Sequence, residues 1–280
     1  MFLALPILLY LVQVAHQMFN RVRSRTHISS CKVLPGGVVK LEFSHPKGMR
    51  PCKAGQYIKV SIEAVSRLEV HPFTLSGCPE DGILQLHIKD LGDWTHRLYV
   101  LASKKDMKGR LIHAMGPFST RSTEVANYKN LVLVGAGIGA TPFTSILENM
   151  LKKNNSDGKK IHFHWIVREQ EAARSWFYEL LESIENCSCE LNIRATVWYT
   201  GGMIVHSFIH RSLFELSDEL FWKSTGRDIV TNVLRGNHNL SVKFGRPCWN
   251  SVLREHLKED LTANPLGVFC CGPSSITNAL

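Results

Sequence analysis

A chain of 280 residues that is 44% hydrophobic and 20% charged can bury a sizeable core, which argues against global disorder and leaves room for one large domain or two ordinary ones. The formal net charge of +9 suits an anionic ligand or an acidic membrane surface. Nucleic acid is not expected, because the basic residues are scattered without aromatic interleaving or finger spacing. The eight cysteines include no C-x-x-C pair and read as reduced thiols, not as a disulfide frame or a metal site.

Phe2 to Phe19 is mostly apolar, interrupted by Pro6, Gln13, His16 and Gln17. It falls a little short of the roughly twenty residues that span a bilayer. Arg21, Arg23, Arg25 and Lys32 follow the apolar run, the reverse of a secretory signal and the order of a membrane helix that exits into the cytosol. Residues 1–20 are therefore expected to form a membrane-type helix with the rest of the chain on the cytosolic side; a plain buried or exposed helix is the alternative.

From His27 to about Pro117 the signals are β. Short alternating runs at Val38–Phe43, Tyr57–Ile62 and Ile83–Ile88 are separated by Gly and Pro turns, which predicts a small antiparallel barrel over residues 21–120. Ser119–Lys129 reads as a polar linker. After Leu131 buried strands alternate with helices: Leu131–Val134, a helix near Pro142–Lys152, Ile161–Val167, a helix near Glu171–Ile184, Leu191–Tyr199 and finally Gly267–Cys271. That rhythm predicts a parallel-sheet α/β domain over residues 121–280. Between Gly201 and Phe244 only a helix around Phe208–Leu220 is expected.

The chemistry gathers in a few stretches. In LVLVGAGIGATPF, Leu131 to Phe143, a buried strand runs into Gly135, Gly137 and Gly139, and Thr141-Pro142 opens a helix. Glycines let a backbone approach a ligand, and the N–H groups at the helix start attract phosphate; an ordinary strand-to-helix turn is the plainer reading. His71-Pro72-Phe73-Thr74, at the end of a barrel strand, offers a ring, a hydroxyl and a protonatable nitrogen of the kind a flavin needs, although a proline-bounded turn would look the same. In LHIKDLGDWT, His87 and Lys89 share a strand face, with Trp94 and Thr95 at a helix start that could meet a phosphate. Arg168 follows a sheet strand, where arginine favours a 2′-phosphate and so NADP over NAD. Cys270-Cys271-Gly272-Pro273 should fall at the carboxyl edge of the sheet, with Cys270 buried and Cys271 towards the site.

Together these residues resemble the dehydrogenase region of the NADPH oxidase family, within the ferredoxin–NADP reductase-like group. HPFT at His71, HIKxxGDWT at His87, GPF at Gly116, GxGxGxTPF at Gly135, WxxR at Trp165, GRPxW at Gly245 and VFCCGP at Val268 stand in the family's order over residues 20 to 280. The paired cysteines most resemble the oxidase-four subtype. The resemblance implies an FAD-binding barrel followed by an NADPH-binding domain. Phe73 and Thr74 would meet the flavin ring, and His71, Lys89 and Thr95 its phosphates, with Pro72, His87 and Trp94 lining the same site. The loop Gly135 to Pro142 would take the NADPH pyrophosphate, Arg168 and Arg246 the 2′-phosphate, and Cys271, beside Gly272 and Pro273, the nicotinamide. Thr74 and Cys271 would then touch the reacting rings, and hydride transfer needs no acid–base triad.

In an intact relative electrons pass on to haem and then oxygen, giving superoxide or hydrogen peroxide, and regulatory subunits can be partners. Such relatives begin with a multi-helix membrane domain that holds the haem and run past the CGP segment to a terminal aromatic. This sequence is accordingly expected to be truncated at both ends, with haem outside it. Met115 stands where the family has Asp and Ser119 where it has Gly, which implies weakened flavin affinity. Three alternatives stay open: a ferric or other metal reductase of the same architecture, a non-catalytic truncated form that modulates a full-length oxidase, and a secreted glycoprotein using the sequons at Asn154, Asn186 and Asn239.

Overall fold

Val39, Leu41 and Phe43 stand at alternate positions of one strand and Leu84, Leu86 and Ile88 of another, all buried, and this period of two lines one side of a sheet with a core. The computed structural model of the chain describes residues 5, 7–12, 23–77, 82–154, 156, 158–168, 175–187, 192–201, 239–259 and 265–280. They divide into two compact units, Met1–Thr120 and Arg121–Leu280.

The first unit holds six antiparallel strands: β1 (Arg25–Leu34), β2 (Val38–Ser44), β3 (Tyr57–Ile62), β4 (His71–Thr74), β5 (Ile83–Lys89) and β6 (Leu111–Phe118), in the order β4-β3-β6-β1-β2-β5. The outer strands are tied through Ser76, whose backbone N–H and hydroxyl both donate to the Gln85 carbonyl, at 3.0 and 3.1 Å. This bond closes the sheet on itself, so the predicted antiparallel barrel is formed. Helix α1 (Asp93–Ser103) packs Trp94, Leu98 and Ala102 against the core, positions on one face at helical spacing. Its start is stabilised by Thr95, whose Oγ1 accepts from the Leu91 and Gly92 N–H groups, both at 2.9 Å.

The second unit is the predicted parallel α/β sheet. Its strands are β7 (Asn130–Ala136), β8 (Lys160–Val167), β9 (Ile193–Tyr199), β10 (Leu240–Phe244) and β11 (Leu266–Cys271), in the order β10-β9-β8-β7-β11. The helices are α2 (Thr141–Lys152), α3 (Tyr178–Glu185), α4 (Trp249–Glu259) and the short α5 (Ser274–Thr277).

Several local readings change. HPFT is a strand in its own right, because Pro72 sits in β4, whose only ladder partner among the described residues is β3. The polar stretch after Ser119 coils into a 3₁₀ turn, Arg121–Asn127, that buries Val125. Lys159, only 5% exposed, donates to the Ala126 and Tyr128 carbonyls at the end of that turn, both at 2.7 Å. β10 and α4 are elements that the sequence reading did not single out. The helix expected around Phe208–Leu220 lies outside the described residues, as does most of Phe2–Phe19. Residues 7–12 are helical and exposed, and among the described residues no helix is long and apolar enough to cross a membrane.

β8 and α4 are joined by a histidine pair. Trp198 Nε1 donates to His164 Nδ1 at 3.2 Å, so a neutral His164 carries its hydrogen on Nε2 and donates it to His256 Nε2, 2.9 Å away. Burial, reinforced by His256, His162 and Lys243, lowers the His164 pKa to about 3. The unfolded chain takes up this proton near the ordinary value of 6.5, so between 6.5 and about 3 it binds more protons than the folded one. Stability therefore falls as the pH drops through that window. The urea midpoint followed by tryptophan fluorescence should decline below pH 6.5, and decline less steeply in His164→Asn.

Candidate functional site

In the first unit the pleat of β4 puts His71 and Phe73 on one face. Both rings rest on Trp94, with centroids 4.6 and 5.7 Å away. Trp94 is 3% exposed, so it is a shelf beneath the other rings; its buried Nε1–H has no hydrogen-bond partner among the described residues. An unpaired buried donor beside two aromatic rings fits a planar, acceptor-rich group such as a flavin nucleotide. Pro72 and Thr74 take the opposite face of the strand. Thr74 is in register with Tyr57, whose ring stacks on Phe118 at 5.1 Å, and Lys59 Nζ lies 5.2 Å over the same Phe118 ring.

An ion-pair chain that the sequence did not suggest backs His71. His71 Nε2 donates to Glu69 at 3.3 Å, and Arg97 on α1 meets the other oxygen of that carboxylate. Hydrogen bonds from Ser66, and then from His71 and Arg97, hold the Glu69 carboxyl below its usual range. His87 and Lys89 share a strand face but not an environment. His87 is 4% exposed, and its Nδ1 lies 2.8 Å from Ser76 Oγ within the barrel closure, while Lys89 is half-buried at the strand end. Thr95 is occupied in capping α1, since its hydroxyl also donates to the Gly92 carbonyl at 2.8 Å.

In the second unit all strands run parallel, so their carboxyl ends form one edge. That edge collects Gly135 to Gly139 after β7, Arg168 after β8, Arg246 after β10, and Cys271 to Pro273 at the end of β11. Gly137 has φ +52 with nothing within 4 Å of the position a Cβ would take. A left-handed residue facing open space is a cradle that a side chain would fill. Gly139 serves closeness instead: a Cβ there would stand 2.5 Å from the Cys271 carbonyl oxygen. Thr141 and Pro142 are buried in the first turn of α2, where the missing proline N–H costs nothing. Arg168 and Arg246 are both exposed, and the strands they follow are separated by β9. Exposed guanidinium groups and a glycine turn along one sheet edge suit a phosphorylated dinucleotide.

Trp165, the tryptophan of the WxxR motif, was given no role by the sequence. It is 0% exposed and its Nε1 donates to the Gly137 carbonyl at 3.0 Å. The available signal was an indole on a buried strand, where its N–H has to find a partner. Of the sequons, Asn239 and Asn186 use their side-chain amides as donors, to the Cys187 and Glu182 carbonyls.

The profile of the "Ferric reductase NAD binding domain" family matches residues 128–280, and that of "FAD-binding domain" matches residues 23–136. The chain is 34% identical to NADPH oxidase 1 of Mus musculus, over 96% of this chain and 45% of that relative. It is 30% identical to dual oxidase 1 of Canis lupus familiaris, over 99% of this chain and 18% of that protein. Respiratory burst oxidase homolog protein B of Arabidopsis thaliana is 30% identical, matching 100% of this chain and 36% of its own length. The chain thus spans less than half of each relative. Among solved structures, cytochrome P450 reductase GcoB of Amycolatopsis superposes with a TM-score of 0.57 at 13% identity, over 91% of this chain and 62% of that one. Flavohemoglobin from Malassezia yamatoensis does so at 0.50 and 22%, over 89% and 60%. These last two likenesses concern the fold. The family profiles make the chain an FAD- and NAD(P)-binding oxidoreductase module.

The thiols differ in a way that chemistry can read. Burial raises the Cys271 pKa and pushes Cys31 and Cys52 up to about 11. Exposed Cys248 is lowered by hydrogen bonding from Ser251. Iodoacetamide at about pH 7.5 should therefore modify Cys248 well ahead of Cys31, Cys52 and Cys271, since only thiolates react. Peptide mass mapping of a time course checks the order.

Proposed function

The chain belongs to the family of ferric-reductase-type NAD-binding oxidoreductases that includes the NADPH oxidases, and on that premise we propose how its two units divide the work. Residues 21–120 hold FAD, residues 121–280 hold NADPH, and the reaction is hydride transfer from NADPH to the flavin. The chemistry supplied by bound flavin is acceptance of a hydride and its release as single electrons, which in the whole protein go to haem and then oxygen, giving superoxide or hydrogen peroxide.

The observation that carries this reading is the sheet edge of the second unit. There a left-handed Gly137, the close passage of Gly139 past Cys271, and two exposed arginines occur together. Arg168 and Arg246 bind the 2′-phosphate, the turn through Thr141 and Pro142 takes the pyrophosphate, and Cys271, Gly272 and Pro273 leave a low edge for the nicotinamide. In the first unit Phe73 presents a ring, with Trp94 beneath it fixing its tilt, and Thr74 offers a hydroxyl to the flavin. His71, buttressed by Glu69 and Arg97, and Lys89 offer N–H donors for phosphates, with Pro72 and Thr95 shaping the rim. His87 is left out of this set because it is spent on barrel closure.

The whole protein is a membrane oxidoreductase with this module in the cytosol. The exposed apolar helical residues 5 and 7–12, together with the basic residues that follow the apolar run, support that placement. Oxidase regulatory subunits are proposed partners of the whole protein. Ferric reduction is a second reading, favoured by the family whose profile covers residues 128–280.

Purified chain titrated with FAD and NADPH, with a dye and a ferric chelate as alternative acceptors, tests the proposal. Expected are retained FAD and NADPH-dependent dye reduction. Flavin reduction should slow about tenfold in Thr74→Ala. NADPH dependence should be lost in Gly137→Val, roughly a hundredfold in KM, because valine cannot adopt the left-handed conformation without strain. Variants indistinguishable from the parent, or a parent that neither retains FAD nor turns over, would overturn the assignment; preferential ferric reduction would select the second reading.

A further inference from the structure

We propose that Trp165 is a positioning residue for the phosphate-binding turn: its indole N–H holds the Gly137 carbonyl down so that the next amide, Ile138 N–H, is turned towards the pyrophosphate. The inference rests on the NADPH reading above but concerns a residue which that reading leaves without a task.

Trp165 lies on β8 directly opposite Gly135 of β7, one ladder pair before the turn. Its side chain is 0% exposed and carries a single polar atom, which is spent on the Gly137 carbonyl at 3.0 Å. The ring is wedged against Trp176 and Phe177, with centroids 6.4 and 5.2 Å away, so the direction of the N–H is set by packing. Gly137 itself is held by no side-chain packing: it has none, and the space where a Cβ would point is open. A glycine at φ +52 has wide alternative conformations, so the hydrogen bond is what selects this one. Because a trans peptide is planar, its C=O and the following N–H point in opposite directions. A carbonyl anchored below therefore aims the Ile138 amide away from Trp165. The far end of the turn is pinned separately, where Gly139 passes the Cys271 carbonyl. Held at both ends, the turn presents its amides in place before a phosphate arrives, which removes an ordering cost from binding.

Phenylalanine would lose the donor and, being smaller than the buried indole, part of the packing as well. A sharper probe is β-(3-benzothienyl)alanine at position 165, which keeps the indole outline and replaces N–H by sulfur. The full chain, loaded with FAD, is titrated by calorimetry with 2′,5′-ADP, which carries a 5′-phosphate, and with 2′-AMP, which lacks it. Replacing Trp165 by the isostere, and Trp165→Phe, should weaken 2′,5′-ADP about tenfold, the loss of roughly one hydrogen bond. Binding of 2′-AMP should stay essentially unchanged, and the unfolding midpoint of the isostere should fall by only a few degrees, as for the loss of one buried hydrogen bond. If parent and isostere bind 2′,5′-ADP alike, the proposal fails while the NADPH reading stands. If both ligands weaken together, Trp165 is merely structural and the proposal also fails. If the parent binds neither ligand, the NADPH reading itself falls.

Discussion

The end of β11 and the glycine turn can meet only because residue 139 has no side chain; a Cβ there would collide with the Cys271 carbonyl. That approach follows from the parallel register, which sets Cys271 opposite Gly135. A second close contact repeats the logic next door, where a Cβ on Gly272 would stand 2.7 Å from the Ala136 side chain. The carboxyl edge of the sheet is thus built from backbone, with side chains cleared away, and a long anionic ligand can lie along it. Arginines enter from the flanking strands, where there is room for them.

The first unit solves the opposite problem, presenting rings instead of clearing them. A stack of His71 and Phe73 on one buried indole gives an aromatic surface whose tilt is fixed from below. Helix α1 supplies that indole, so the helix start and the β4 strand act as one device. Closure of the barrel through Ser76 sets where β4 and β5 lie beside each other, and with them Phe73 and Lys89. The Glu69 carboxylate then links His71 on the strand to Arg97 on the helix, a polar echo of the ring contacts.

Much of the fold was legible without coordinates. Tyr57–Ile62 was read to the residue, because alternating β-branched and polar positions between turn residues admit few other folds. The βαβ rhythm from Leu131 onwards was equally plain. Legibility failed where local and tertiary preferences disagree. Pro72 looked like a strand end, yet it is tolerated inside β4, which among the described residues has a ladder partner on one side only. His87 and Lys89 looked alike by spacing, and only the crossing of Ser76 over β5 buries one and leaves the other half-exposed. Trp165 was visible as a letter in a motif, but no spacing shows which carbonyl an indole will reach.

Period, glycine placement and residue type determined by themselves the fold class, the order of its elements and the kind of ligand, because each is a local preference repeated often enough to be read. Strand order was a tertiary decision. β10 and β11 are consecutive strands in the chain but lie at opposite borders of the sheet, so Arg246 and Cys271 flank the glycine turn from different sides. No local preference encodes that separation; it follows from burial, since β7 and β8, apolar on both faces, take interior places, whereas β11, with Val268 42% exposed, stands at a border.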